Sequence, residues 1–208
     1  MYTSYFNLVL LPFENSPHPT FFFDAWQYKK ARSLVINSIA TGRGLVVITG
    51  PIGTGKTTLI HKVTTDLSDM IKLIWLVEPP SSGDELVSYI AQELNIDPTH
   101  QSRLFLICAI RSSLVDLQAR NKKCLLVIDE SHLMTAEVLE EIRILLNLED
   151  QSKKFLQVML AGQPELMDTL DLHKMEPIRQ RISTLINLGQ MNIEKTCKYI
   201  SLNTFSFL

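Results

Sequence analysis

Leu45-Val46-Val47-Ile48-Thr49 is a continuous apolar run, and Gly50-Pro51-Ile52-Gly53-Thr54-Gly55-Lys56-Thr57 follows it without a break. The eight residues fit the spacing G-x-x-x-x-G-K-[ST], and a helical stretch begins near Lys56. A strand, a tight glycine loop and a helix in that order leave few folds open. Glycines let the backbone wrap close to a polyphosphate, so that successive amide N–H groups point inward as an anion nest. The helix adds the positive end of its dipole. Gly50, Pro51, Ile52, Gly53, Thr54, Gly55, Lys56, Thr57 and Thr58 are therefore the candidate nucleotide-binding residues. Lys56 can reach the β- and γ-phosphates, and the Thr57 hydroxyl can ligate Mg²⁺. A chance glycine turn before a lysine is the plainer alternative, and the strand and helix flanks argue against it.

A second motif turns binding toward hydrolysis. Leu125-Leu126-Val127-Ile128 is apolar throughout, as a strand buried on both faces of a parallel sheet should be, and it ends in Asp129-Glu130. An acid pair there emerges beside the phosphate loop if the two strands are neighbours. Asp129 would hold Mg²⁺ through its water shell, and Glu130 would polarise an attacking water. Alone the pair could be a helix cap. Together with the phosphate loop it predicts an ATPase that uses ATP and Mg²⁺.

Composition narrows the class. A chain of 208 residues with 46% apolar side chains and a formal net charge of −2 can build one full core and is no disordered or globally basic protein. Cys108, Cys124 and Cys197 are scattered and odd in number, which argues against a disulfide scaffold or zinc site and for a reducing compartment. Of the histidines, His132 alone lies near the acid pair, where packing or capping is its ordinary use. No stretch is apolar for long enough to span a bilayer, and the first residues lack a signal peptide's basic segment, so a cytoplasmic location is expected.

Three parts follow one another along the chain. Residues 1–23 form an aromatic, Pro-rich arm in which Pro12, Pro17 and Pro19 exclude a long helix, and Tyr5, Phe6, Phe13 and Phe21-Phe22-Phe23 call for the body of the domain as a packing surface. Residues 24–189 form the nucleotide-binding domain. Asp24 should cap a helix to about Thr41, with Tyr28, Ala31, Leu34, Val35 and Ile39 as its apolar stripe. Strands are expected at Leu45–Thr49, Lys72–Val77, Cys124–Ile128, Phe155–Ala161 and Ile182–Leu188. Helices are expected from Lys56 to Leu67, from an Asp84 cap through Leu94, from about Gln101 to Arg120, from Thr135 to Leu148, and at Pro164. This alternation predicts a parallel, doubly wound α/β sheet. In the remainder, 190–208, one amphipathic helix from Asn192 to about Ser201 precedes an unstructured end from Asn203.

Read together, these residues resemble a known family. Tyr2, Tyr5-Phe6-x-Leu8, Pro12-Phe13, Pro17-x-Pro19 and Phe21-Phe22-Phe23 resemble the opening of the ExeA-like family, the general secretion pathway ATPase A proteins. The similarity continues through Gly53-Thr54-Gly55-Lys56-Thr57-Thr58, Ile128-Asp129-Glu130-Ser131-His132-Leu133, Leu145-Leu146-Asn147-Leu148-Glu149, Leu160-Ala161-Gly162-Gln163-Pro164-Glu165-Leu166 and Gln180-Arg181-Ile182. The resemblance implies an AAA+ type P-loop NTPase: a three-layer αβα sandwich with a five-strand parallel sheet, the fourth strand lying between the two phosphate-site strands. It implies a bacterial ATPase that assembles into a homo-oligomer and serves an envelope secretion or pilus machine at the cytoplasmic face of the membrane.

Site residues follow from the same resemblance. Gln163 takes the place of the polar residue that senses the γ-phosphate, the alternative being a cap on the helix at Pro164. Arg181 is the candidate arginine finger toward a neighbouring subunit, with Arg179 as runner-up and a surface salt bridge as the plain reading. Glu130, Lys56, Gln163 and Arg181 are thus the catalytic candidates, and Thr57 and Asp129 the metal ligands. Two departures stand out. Tyr28 occupies a place where the family often has His. The chain also stops within the first helix of the lid that closes AAA+ sites, so the helical lid is largely absent, and weak affinity with slow turnover is expected. Two other readings compete: a DNA-stimulated ATPase of the transposition or initiator type, suggested by Lys29-Lys30-x-Arg32, and a nucleotide switch without turnover.

Overall fold

Strands that are apolar at every position need cover on both faces, and the helices between them supply it. The structure is a computed structural model that describes residues 26–150 and 153–205. Helix α1 (Trp26–Ala40) leads into β1 (Leu45–Thr49), α2 (Lys56–Asp66) and β2 (Ile71–Leu76). Helices α3 (Gly83–Glu93) and α4 (Arg103–Ala119) precede β3 (Lys123–Ile128), a 3-10 turn (Ser131–Leu133) and α5 (Ala136–Leu145). A two-residue antiparallel pair, β4 (Glu149–Asp150) and β5 (Lys153–Lys154), leads to β6 (Leu156–Gly162). Short helices α6 (Glu165–Leu170) and α7 (Glu176–Arg179), β7 (Ile182–Asn187) and α8 (Ile193–Phe205) follow.

The main sheet has five strands in the order β2-β3-β6-β1-β7, with every neighbouring pair parallel. The expected strand between the two phosphate-site strands is β6. Alternation divides each central strand between two cores. Leu45 and Val47 of β1, Leu126 and Ile128 of β3, and Val158 and Leu160 of β6 join Leu86, Ile90, Ile110, Val138 and Ile142 of α3, α4 and α5. On the other face Val46, Ile48, Leu125, Val127 and Met159 meet Val35 and Ile39 of α1 and Leu59, Ile60 and Val63 of α2. The layers are therefore helix, sheet and helix, the expected sandwich. Truncating a fully buried member such as Leu126 to alanine would cost about 2–5 kcal/mol.

Several expected boundaries move. Helix α3 is capped by Ser82, not Asp84: Ser82 is extended and its hydroxyl accepts from the Glu85 N–H at 3.2 Å, leaving Asp84 in the first turn, where its charge suits the helix dipole. Thr135 stands outside α5 as its cap, accepting from the Val138 N–H at 3.3 Å. Helix α8 runs on through Phe205, so Asn203 and Thr204 are helical and not part of an unstructured end. The aromatic arm of residues 1–23 and the Asp24 cap lie outside the described residues. Among the described residues, no helix is long and apolar enough to cross a membrane.

Candidate functional site

Parallel register carries three loops to one edge of the sheet. Thr49, the last residue of β1, lies opposite Gly162 of β6 and Asn187 of β7, and Ile128 at the end of β3 lies opposite Leu160 of β6. The phosphate loop, the acid pair and Gln163 therefore leave the sheet side by side.

In the loop, Gly53 and Gly55 both have φ near +77°, in the left-handed region that L side chains rarely adopt. Gly55 is the residue that ends the loop and caps α2. Lys56 is 8% exposed, and its ammonium donates to the carbonyls of Gly50 at 2.8 Å and Pro51 at 3.2 Å. Those bonds satisfy a charge that burial would otherwise penalise and hold it folded over the loop. The Thr54 hydroxyl donates to the Pro51 carbonyl at 2.8 Å and tightens the same turn. Behind the loop the Tyr28 hydroxyl donates to the Thr54 carbonyl at 2.7 Å, and burial holds this phenol above its usual pKa range.

Across the edge, the Thr57 hydroxyl donates to Asp129 Oδ2 at 2.7 Å, while Asp129 Oδ1 accepts from the Glu130 N–H at 2.9 Å. Asp129 is 5% exposed, so its charge is screened little by water. A hydroxyl and a carboxylate in contact are hard oxygen donors of the kind that suit Mg²⁺, which binds through one or two such groups plus phosphate oxygens and water. Among the described residues no cluster of three or more His, Cys, Asp or Glu could hold a metal ion.

Glu130 has φ 47° and ψ 33°, an unusual conformation for a residue with a long side chain. This backbone turn sends the chain from β3 directly into the 3-10 turn, which the Ser131 hydroxyl fastens by donating to the Ile128 carbonyl at 2.6 Å. The turn lies so close to β6 that a Cβ on Gly162 would sit 2.9 Å from the His132 backbone nitrogen. His132 Nε2 is 2.9 Å from Gln163 Nε2, and its Nδ1 is 3.4 Å from Glu130 Oε2. The Gln163 side chain thus turns to His132 and does not cap α6.

Lys56, Thr57, Asp129, Glu130 and Gln163 lie together at this edge of the sheet. Arg181 is not among them. Ile182, the next residue, pairs with Leu45 at the start of β1, which places Arg181 at the opposite end of the sheet. Arg179 is held by Asp171 at 3.1 Å. Sequence reading noted Tyr28 and His132 but placed neither among the site residues. Tyr28 sat in the apolar stripe of α1 with nothing to mark its hydroxyl. His132 was visible only as the histidine nearest the acid pair.

Comparison with known proteins agrees with this fold. A family model described as an AAA domain matches residues 39–170. The chain is 30% identical to general secretion pathway protein A of Aeromonas hydrophila over 201 residues, which is 96% of this chain and 37% of that protein. It therefore spans little more than a third of the curated relative it matches. Among solved structures, the Aeropyrum pernix ORC2 protein in its ADPNP–ADP complexes superposes with TM-score 0.71 at 16% identity, over 92% of this chain and 54% of that one. Cdc6p from Pyrobaculum aerophilum gives TM-score 0.67 at 16% identity, over 96% and 54%. At such identities these two likenesses speak for the fold alone.

Proposed function

Because the chain belongs to the AAA domain family, we propose that it binds ATP with Mg²⁺ and hydrolyses it to ADP and phosphate. The observation that carries this reading is the 2.7 Å contact between Thr57 and Asp129, with Glu130 next in sequence and Lys56 folded over the same loop. Residues 24–189 are the working unit. The loop from Gly50 to Thr58 wraps the phosphates, and Lys56 exchanges its carbonyl partners for phosphate oxygens. Thr57 and Asp129 would hold Mg²⁺, which when bound neutralises charge on the β- and γ-phosphates. Glu130 takes up the proton of the attacking water, and Gln163 donates to the γ-phosphate.

Arg181 stands at the far end of the sheet from its own phosphate loop, so an action on nucleotide has to be on that of a second copy. We read the active form as a homo-oligomer assembled on ATP. The similarity to a general secretion pathway protein supports an envelope secretion or pilus assembly partner, met from the cytoplasmic side. The DNA-stimulated reading is weaker, because Arg32, one of its three basic residues, is tied to Asp66 at 2.6 Å.

The test is Mg²⁺-dependent phosphate release from ATP by the purified chain, with Lys56→Ala and Glu130→Gln beside it and duplex DNA as a further arm. Lys56→Ala should lose nucleotide binding. Glu130→Gln should keep binding and slow release by about 10²-fold or more. Equal loss of binding in both variants would sink the Glu130 role, and ATP binding without release in the unmodified chain would make the protein a nucleotide switch. Strong stimulation by DNA that falls steeply with salt would move the function to nucleic acid.

A further inference from the structure

We propose that Tyr28 is a positioning residue that presets the phosphate loop for a nucleotide's phosphates by fixing one peptide unit, Thr54–Gly55. The proposal rests on the nucleotide-binding reading above and adds a residue from outside the loop to it. Tyr28 lies on α1, is 3% exposed, and donates its hydroxyl to the Thr54 carbonyl across a separation of 26 residues. In a trans peptide the carbonyl and the following N–H point in opposite directions. A Thr54 carbonyl held toward α1 therefore turns the Gly55 N–H to the other side of the loop, where a nest for phosphate oxygens needs it.

The next peptide unit is fixed in a different way. The Gly55 carbonyl accepts from the Leu59 N–H at 2.9 Å, the first hydrogen bond of α2, and this aims the Lys56 N–H without outside help. Thr54 precedes the helix, so its peptide has no such automatic partner, and the flexible φ of Gly55 would let it rotate. Tyr28 supplies the missing restraint. Its ring also backs Gly55, with a Cβ there falling 3.6 Å from the ring edge, so α1 stands directly behind the loop.

The support is itself held. One turn along α1, Arg32 is bonded to Asp66 at the last residue of α2, and before Tyr28 the Gln27 amide donates to the Gly189 carbonyl at 3.3 Å. Tyr28 thus acts from a helix fastened to the end of α2 and to the segment after β7, the condition for a side chain to orient another group. Filling space alone would require only the ring, and a phenylalanine would serve. The buried donor is what sets tyrosine apart, and a tyrosine phenol stays protonated across physiological pH.

Tyr28→Phe in the full chain separates these roles. Affinity for a fluorescent ADP analogue and for ATP should fall about tenfold, the scale of one hydrogen bond to a buried acceptor. The melting temperature of the nucleotide-free protein should stay within a few degrees of the unmodified chain. KM for ATP should rise with kcat little changed, because a preset loop favours bound substrate and transition state alike. ADP binding within twofold of the unmodified chain would overturn the proposal. So would an affinity loss accompanied by a large drop in melting temperature, which would make Tyr28 a residue of the fold. If the unmodified chain fails to bind ADP at all, the nucleotide-binding reading falls instead, and that arm is read first.

Discussion

Gln163 Nε2 lies 2.9 Å from His132 Nε2, which joins the residue after the central strand to the turn that follows Asp129-Glu130. The Gln163 amide donates here, so His132 carries its proton on Nδ1. That nitrogen is buried, has no hydrogen-bond partner among the described residues, and sits 3.4 Å from a Glu130 carboxylate oxygen. A small movement of Glu130 would complete a path from Gln163 to the proposed base.

Replacing His132 with alanine should therefore disturb turnover without disturbing binding. Single-turnover phosphate release should slow by about tenfold, less than the loss of a base, while ADP affinity stays within about twofold. His132→Asn, which keeps a polar side chain facing Gln163, should recover part of the rate. Unchanged release in His132→Ala would show that the contact merely packs the turn.

The two arginines near the sheet's far end differ in what they touch. Arg179 is engaged with Asp171, whereas Arg181 has no ion pair or side-chain hydrogen bond among the described residues. Arg181→Ala should lower specific activity by about 10²-fold or more and Arg179→Ala by less than about threefold, since an arginine finger is worth 10³–10⁵ where it has been measured. Mixing Arg181→Ala with Glu130→Gln protein should restore activity, because each copy supplies what the other lacks. Specific activity that stays constant with protein concentration would rule out action between copies.

Thiol chemistry reports on the sheet. Cys108 and Cys197 are exposed, while Cys124 is buried in β3, where burial pushes its thiol up to about 12 against the opposing pull of Lys72. Ellman's reagent at pH 8 should find two rapidly reacting thiols in the native protein and three after denaturation. Three fast thiols in the native state would mean that β3 is open to solvent.

Acid should loosen the fastening of α1 to α2. Burial raises the Asp66 pKa, but hydrogen bonds from Arg32 at 2.6 Å and Lys62 at 3.1 Å outweigh it, and the carboxyl titrates below its usual value of 3.8. A lowered folded pKa means that the stabilisation is complete above the ordinary value and fades as pH falls through the folded one. Asp66→Asn should cost about 0.5–1 kcal/mol at pH 7, as partly exposed ion pairs do. The difference in melting temperature between variant and unmodified chain should shrink below about pH 4. A difference that stays constant down to pH 2 would show that the charge contributes nothing.

Much of this molecule was legible in short stretches of chain. Leu45–Thr49 and Leu125–Ile128 announced strands covered on both faces, and the spacing from Gly50 to Thr57 announced the phosphate loop between a strand and a helix. Such patterns are local, so a few residues carry them whole. Helix ends were less legible, since Ser82 and Asp84 are both capable caps and the choice turned on which backbone was extended. The strand order came from family resemblance and not from the residues, because nothing within β6 says that it lies between β1 and β3.

The working contacts belong to the packed structure. Tyr28 meets Thr54 across 26 residues, His132 meets Gln163 across 31, and Thr57 meets Asp129 across 72. Sequence could nominate Thr57 and Asp129 by type and position, and Gln163 by family resemblance, yet it left the Tyr28 hydroxyl hidden in an apolar stripe and Arg181 without an end of the sheet. Those placements follow from register and from the helices that cover each face. Burial of many side chains at once decides them, and no short run of residues encodes that sum.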